Sequence, residues 1–158
     1  LMKILVGYPD ADEERRIVAR DAEPAPAIAA VADAESVRAL RDAVAAVHVE
    51  PSVADYAVRI ARATRAPDAV GARLGGPGGR PVGPCVSLGA SPRASLFLVR
   101  AARARALLDG RRFATPHDVK RMAPTVLRHR LVLSYEAEAD GVAADDVVAA
   151  VLDAVETP

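Results

Sequence analysis

The chain has 158 residues, 51% hydrophobic and 27% charged with no net charge, which suits one soluble domain with a packed core. Aromatics are only 3% and Trp is absent, so the core must come from Ala, Val, Leu and Ile, and the stacking platforms of single-strand nucleic-acid binders are missing. The single cysteine, Cys85, excludes an internal disulfide framework and a cysteine-based zinc site. No basic-then-apolar leader opens the sequence and no apolar run approaches about 18 residues, so a cytoplasmic protein with no membrane partner is expected.

The opening run LMKILVGYP, residues 1–9, is apolar and stops at Gly7 and Pro9, which predicts a strand of the buried kind. It starts in mid-strand without an initiator Met, as a piece of a longer chain would. Asp10 with Glu13 three residues on then starts a helix, and the Pro/Ala-rich stretch 22–33 is a linker. Asp33 caps a second helix with Val37, Leu40, Val44 and Val47 as its apolar stripe. Ser52 and Asp55 form a capping-box-like pair before a third, whose stripe is Val53, Tyr56 and Ile60.

Residues 71–84, GARLGGPGGRPVGP, hold so many Gly and Pro that a flexible, exposed loop is expected. No Gly-Lys-Ser/Thr follows, so the stretch is not a P-loop. A long helix runs from Ser91 to a stop at Gly110. Thr115, Pro116 and Asp118 start the next. Pro124 should break it and leave PTVLRHR as a short separate helix, followed by the extended stretch LVLSYEAEADG and a terminal amphipathic helix. The fold class is therefore predominantly all-α, about six helices with short extended pieces at the start and after Arg130. Leu40, Val44, Tyr56, Ile60, Leu96, Val99, Val119, Met122 and Leu127 are the expected core.

Within GASPRASL, residues 89–96, Ser91 is a good N-cap, Pro92 suits the first helical position, and Arg93 falls in the first turn. A cation there opposes the helix dipole, where carboxylates are usual. The misfit is resolved if an anion, most simply a phosphate, joins the arginine at the free N–H groups of the helix end. Charge distribution agrees. Between Ser91 and Arg130 there are ten Lys or Arg against two acids, a local excess of +8 within a neutral chain. Such a segment calls for an anionic partner, either phosphate or the acidic surface of another subunit.

GASPRASLFLVRAARARALLDGRRFATPHDVKRMAPTVLRHRLVLS resembles the sensor-2 helix and following helices of the MoxR family of AAA+ ATPases. LVGYPDADEERRIV is similar to the segment joining that family's nucleotide-binding core to its helical lid, and VADYAVRIARATR resembles the lid helix between them. The resemblance implies that residues 1–9 end the core as its last strand, 10–33 are a connecting helix and linker, and 34–158 form the helical lid with the loop 71–84. Arg93 would be the sensor-2 arginine, catalytic through its phosphate contact, and Ser91 and Pro92 would position it at the nucleotide. ATP and Mg²⁺ would be the cofactors of the complete protein. Its partners would be the core of the same chain, neighbouring subunits of a ring, client proteins and a von Willebrand A-type protein. Walker A, Walker B and sensor 1 are absent from these 158 residues.

Two other readings use the same residues. TPHDVKRMAPTVLRHR could pass for a helix-turn-helix, and the basic segment 93–130 could serve a plain protein-interaction bundle. Nucleic acid is the less favoured partner. His48, His117 and His129 have no metal-ligand spacing with a carboxylate and are read as structural or surface residues.

Overall fold

The computed structural model describes residues 1–21, 24 and 27–158. The expected linker 22–33 lies partly outside them. Helix α1, Ala11–Asp21, is set by Asp10, whose Oδ1 accepts the Glu13 amide at 2.8 Å while Glu13 takes the Asp10 amide at 3.1 Å. Helix α2, Ala34–Ala46, is capped by Asp33, which accepts the Ser36 amide at 2.7 Å. Neither helix buries a residue.

The packed body starts at α3, Pro51–Ala63, which opens on Pro51 rather than on the expected Ser52 cap. Helix α4, Arg93–Leu108, ends at Gly110, whose φ of 75° lets the Arg111 amide return to the Ala106 carbonyl at 2.8 Å. Helix α5, Pro116–Leu127, has the capping box that Thr115 and Asp118 promise. Helices α6, Tyr135–Ala139, and α7, Ala144–Ala154, complete the bundle.

Among the described residues six short strands tie the connections together. β1, His48–Val49, pairs in parallel with β5, Phe113–Ala114. β2, Arg73–Leu74, and β3, Arg80–Pro81, form an antiparallel hairpin, and β4, Val86–Leu88, runs antiparallel to β6, Val132–Leu133. The core lies between α3, α4, α5 and α7, with Tyr56, Ile60, Leu98, Val119, Leu127 and Val151 fully buried. Ala94, Ala101, Ala102 and Ala106 give α4 a small-residue face, which lets α5 approach closely. Among the described residues no helix is long and apolar enough to cross a membrane.

Several expectations are corrected. Residues 1–10 form no strand, because the run has no neighbouring strand to pair with among the described residues; the Lys3 amide bonds the Thr125 carbonyl at 2.8 Å. Pro124 does not break α5. It sits in the last turn, where its missing N–H costs one bond, and the Arg128 amide still reaches the Pro124 carbonyl at 3.1 Å. The stretch after Leu133 is helical, because Ser134 caps α6 by accepting the Ala137 amide at 3.2 Å.

The glycine-rich loop is a hairpin anchored at both ends. Ala72 and Val82 are buried, and the Val82 amide donates to the Ala72 carbonyl at 3.1 Å. Of the expected core, Tyr56, Ile60, Val119 and Leu127 are buried, Val44, Val99 and Met122 are half-buried, and Leu40 and Leu96 are exposed. Leu96 lies off the alanine face that α4 turns to its neighbours, and α2 rests against the bundle only through its last turn, around Val44 and Val47.

Candidate anion site at the start of α4

The start of α4 differs in detail from its sequence reading. Pro92 already has helical backbone angles, φ −54° and ψ −23°, but the Ser91 side chain caps no amide. The Ala94 amide instead bonds the Ser91 carbonyl at 2.8 Å and the Ser95 amide bonds the Pro92 carbonyl at 3.1 Å. Pro92 has no N–H to offer. The first turn is thus wound tightly, as a 3₁₀ turn, and most of its amides are already satisfied. Any anion held here depends on side chains more than on the helix end.

Those side chains are cationic. Arg93 is exposed and shares an open cleft of about 770 Å³ with Arg62 and Arg65 of the α3 end, Ser91, Pro92, Ser95, Val58 and Leu96. Three arginines and no acidic residue line it, and none of the three makes an ion pair among the described residues; Arg62 also borders a second cavity, whose lining includes Glu156. Planar forks of this kind suit the oxygens of phosphate.

The two sides of the cleft are joined by a buried clamp. Thr64, at the end of α3, accepts the Ala90 amide on its Oγ1 at 2.9 Å and donates to the Ala61 carbonyl at 2.7 Å. Gly89 lies so close that a Cβ built on it would stand 2.4 Å from the Thr64 carbonyl oxygen. Arg65 and Ser91 flank these clamped residues in sequence, and Arg93 follows.

The basic segment is less free than its count suggests. Arg105 pairs with Asp109 at 2.8 Å, Arg128 with Asp145 at 2.9 Å and Lys120 with Asp153 at 3.7 Å. Arg130 stacks over Phe97, its guanidinium carbon 4.7 Å from the ring centre. Arg111 grips the buried Asp118 with both terminal nitrogens, at 2.8 and 2.6 Å. Burial pushes the Asp118 carboxyl up. The Arg111 fork and the Thr115 amide and hydroxyl outweigh this and bring it down to about 2.

The histidines form no site. His48 lies 3.0 Å from Glu50, and His129 is pushed below its usual range by burial first and then by the positive charges of Arg130, Lys3 and Arg128. Among the described residues no three His, Cys, Asp or Glu side chains are grouped for a metal.

Comparison with known proteins follows the same outline. The AAA lid domain family matches residues 81–151, a stretch that includes Ser91, Pro92, Arg93 and Asp118. The whole chain is 40% identical to Chaperone MoxR1 of Mycobacterium tuberculosis and 32% identical to the uncharacterized protein YeaC of Bacillus subtilis. Protein MoxR of Methylorubrum extorquens is 36% identical over 133 residues, 82% of this chain and 38% of its own length. A crystal structure of a candidate ATPase from Cytophaga hutchinsonii superposes over 99% of this chain and 46% of its own, with a TM-score of 0.86 at 27% identity.

The chain is an AAA+ lid region of the MoxR type. It spans 40% of the length of the Mycobacterium relative and 45% of the Bacillus one. In this MoxR-type lid, the expected site residues Ser91, Pro92 and Arg93 share one cleft. Arg62 and Arg65 were missed by sequence reasoning: Arg62 sits in the last turn of α3, where a cation suits the helix dipole, and Arg65 lies in the turn just past it, where an exposed arginine asks for no explanation. No signal in the sequence singles them out; the fold brings them into the cleft of Arg93 through the bond from the Ala90 amide to Thr64.

Proposed function

We propose that this lid serves a MoxR-type AAA+ ATPase in which Arg93 acts as the sensor-2 arginine. The observation that carries the reading is an exposed, unpaired Arg93 at the start of the longest helix, in a cleft lined by cations and no acid. A guanidinium so placed meets the terminal phosphates of ATP and loses part of that contact when ATP becomes ADP. The difference in contact free energy then shifts the lid against the core and against neighbouring subunits. The residues fit phosphate oxygens and offer no carboxylate ligand for Mg²⁺, so the metal would arrive with the nucleotide and be held by the core. ATP and Mg²⁺ supply the phosphoryl chemistry, and Arg93 stabilises charge on the phosphate oxygens.

Residues 1–9 are read as the end of the nucleotide-binding core, and 10–33 as the connection to the lid. Chaperone-like remodelling or maturation of client proteins, a ring of subunits and a von Willebrand A-type partner follow as parts of the same proposal. Support comes from the Mycobacterium relative, which is itself named a chaperone.

The test uses the full-length protein that carries this lid. Arg93→Ala should lower steady-state ATP turnover by about 30- to 1000-fold, the range for one electrostatic contact to a transferring group, with the melting temperature unchanged. Arg93→Lys should recover part of the rate, since a point charge lacks the planar fork. Arg100→Ala, two turns along α4, should have a much smaller effect. Equal losses at 93 and 100, or a collapsed melting temperature for Arg93→Ala, would overturn the reading. So would the absence of a Gly-x-x-x-x-Gly-Lys-Ser/Thr motif upstream, or a steeply salt-dependent DNA affinity of the lid.

A further inference from the structure

We propose that Arg62, in the last turn of α3, and Arg65, just past its end, act together with Arg93 as one receptor for the phosphate chain of a nucleoside triphosphate. The inference rests on the reading of Arg93 above and adds a second wall to its site, supplied by a different helix.

Three observations carry it. The three arginines line one cleft and none has an acidic partner among the described residues, whereas Arg59, one turn before Arg62 on α3, pairs with Asp55 at 3.0 Å. Like charges left together without a counter-ion repel, so the arrangement is best satisfied when an anion enters. The first turn of α4 has bonded its Ala94 and Ser95 amides internally, so the attraction must come from the guanidinium groups, with the Ser91 and Ser95 side chains beside them. Thr64 and Gly89 hold the α3 end against the residues before α4, which fixes the two arginine-bearing walls relative to each other before any ligand arrives.

The number of cations points to a chain of phosphates and not to a single carboxylate. One carboxylate neutralises one guanidinium and leaves the others facing each other. A triphosphate spreads its charge over three groups, and two or more forks can each take oxygens from a different phosphate. Arg62 and Arg65 therefore raise the preference for triphosphate over diphosphate, with Arg93 on the terminal group.

The test measures dissociation constants of the full-length protein for a non-hydrolysable ATP analogue and for ADP. The variants are Arg62→Ala, Arg65→Ala, the double substitution, Arg93→Ala and Arg59→Ala. All three cleft arginines are exposed, so each contact falls between a surface ion pair and a charge-assisted hydrogen bond. The double variant should weaken the ATP analogue by about 3- to 30-fold more than ADP. KM for ATP should rise, unfolding temperature should hold, and Arg62→Lys with Arg65→Lys should restore part of the preference. Arg59→Ala should leave it unchanged.

If Arg93→Ala alone removes the preference while the α3 variants keep it, this inference is overturned and the sensor reading survives. If no variant, Arg93→Ala included, changes nucleotide binding or turnover, both fail. Equal weakening of analogue and ADP would overturn triphosphate discrimination. Unchanged nucleotide binding with loss of an acidic peptide probe would assign the cleft to carboxylates and overturn it as well.

Discussion

The Thr64 hydroxyl accepts the Ala90 amide at 2.9 Å in a fully buried position, joining the end of α3 to the loop that delivers Arg93. Both residues are inaccessible, so no water can replace the bond. Thr64→Val keeps the shape and deletes the acceptor, leaving the Ala90 amide without a partner. The expected cost is about 1–3 kcal/mol. Chemical denaturation should register it, and Thr64→Ser should recover most of it. A valine variant as stable as the parent would mean that the clamp contributes nothing.

Gly89 tests the same junction by sterics. A Cβ there would meet the Thr64 carbonyl oxygen at 2.4 Å and its carbon at 2.6 Å, both backbone atoms that cannot swing aside. Gly89→Ala should therefore destabilise the lid by roughly 1–3 kcal/mol and push the two walls of the cleft apart. The readout that separates it from an ordinary core defect is nucleotide preference: at a temperature where the variant is folded, its ratio of ADP to ATP-analogue dissociation constants should fall toward that of the Arg62, Arg65 double variant.

Much of this was legible in the residues because local chemistry decided it. Asp10, Asp33 and Thr115 announce their helices by capping, and Gly110 ends α4 as its position suggests. The errors arose where packing decided instead. Pro124 looks like a breaker but falls where the helix is about to end, and the Gly/Pro-rich loop 71–84 is pinned by Ala72 and Val82, whose burial only the fold determines. Leu96 seemed a core residue on apolar character alone, whereas α4 uses its alanines to meet α5. Arg93 was conspicuous because it opposed a local rule. Arg62 and Arg65 obeyed one and stayed invisible until Thr64 brought them beside it.

The 158 residues alone should show no ATP turnover. Three arginines can attract phosphate, but they provide neither a phosphate cradle nor ligands for Mg²⁺, and both are needed for phosphoryl transfer. Inorganic tripolyphosphate should bind weakly and in a salt-sensitive way, detectable as chemical-shift changes around Arg62, Arg65 and Arg93. Sustained release of phosphate from ATP by the purified chain, free of contaminating ATPase, would contradict this.

Asp118 is 1% exposed and accepts hydrogen bonds from both terminal nitrogens of Arg111 as well as from the Thr115 amide and hydroxyl. Its carboxyl is held at about 2, below the ordinary 3.8, so the folded state prefers the charged form more than the unfolded chain does. Between those two values the unfolded chain binds more protons than the native one, and stability rises with pH. The contribution is thus complete above about pH 4 and disappears as pH falls toward 2. A shift of this size is worth roughly 2 kcal/mol. Asp118→Asn should lower stability at neutral pH and flatten the acid limb of the stability curve in that window. Asp118→Ala should cost more, roughly 2–4 kcal/mol, because it also removes one half of the capping box of α5 and leaves a half-buried Arg111 without this carboxylate, with Asp109 at 3.2 Å as its remaining acidic partner. Urea unfolding of both variants between pH 2 and pH 7 makes the comparison, and an unchanged slope below pH 4 in Asp118→Asn would show that other carboxylates govern acid unfolding.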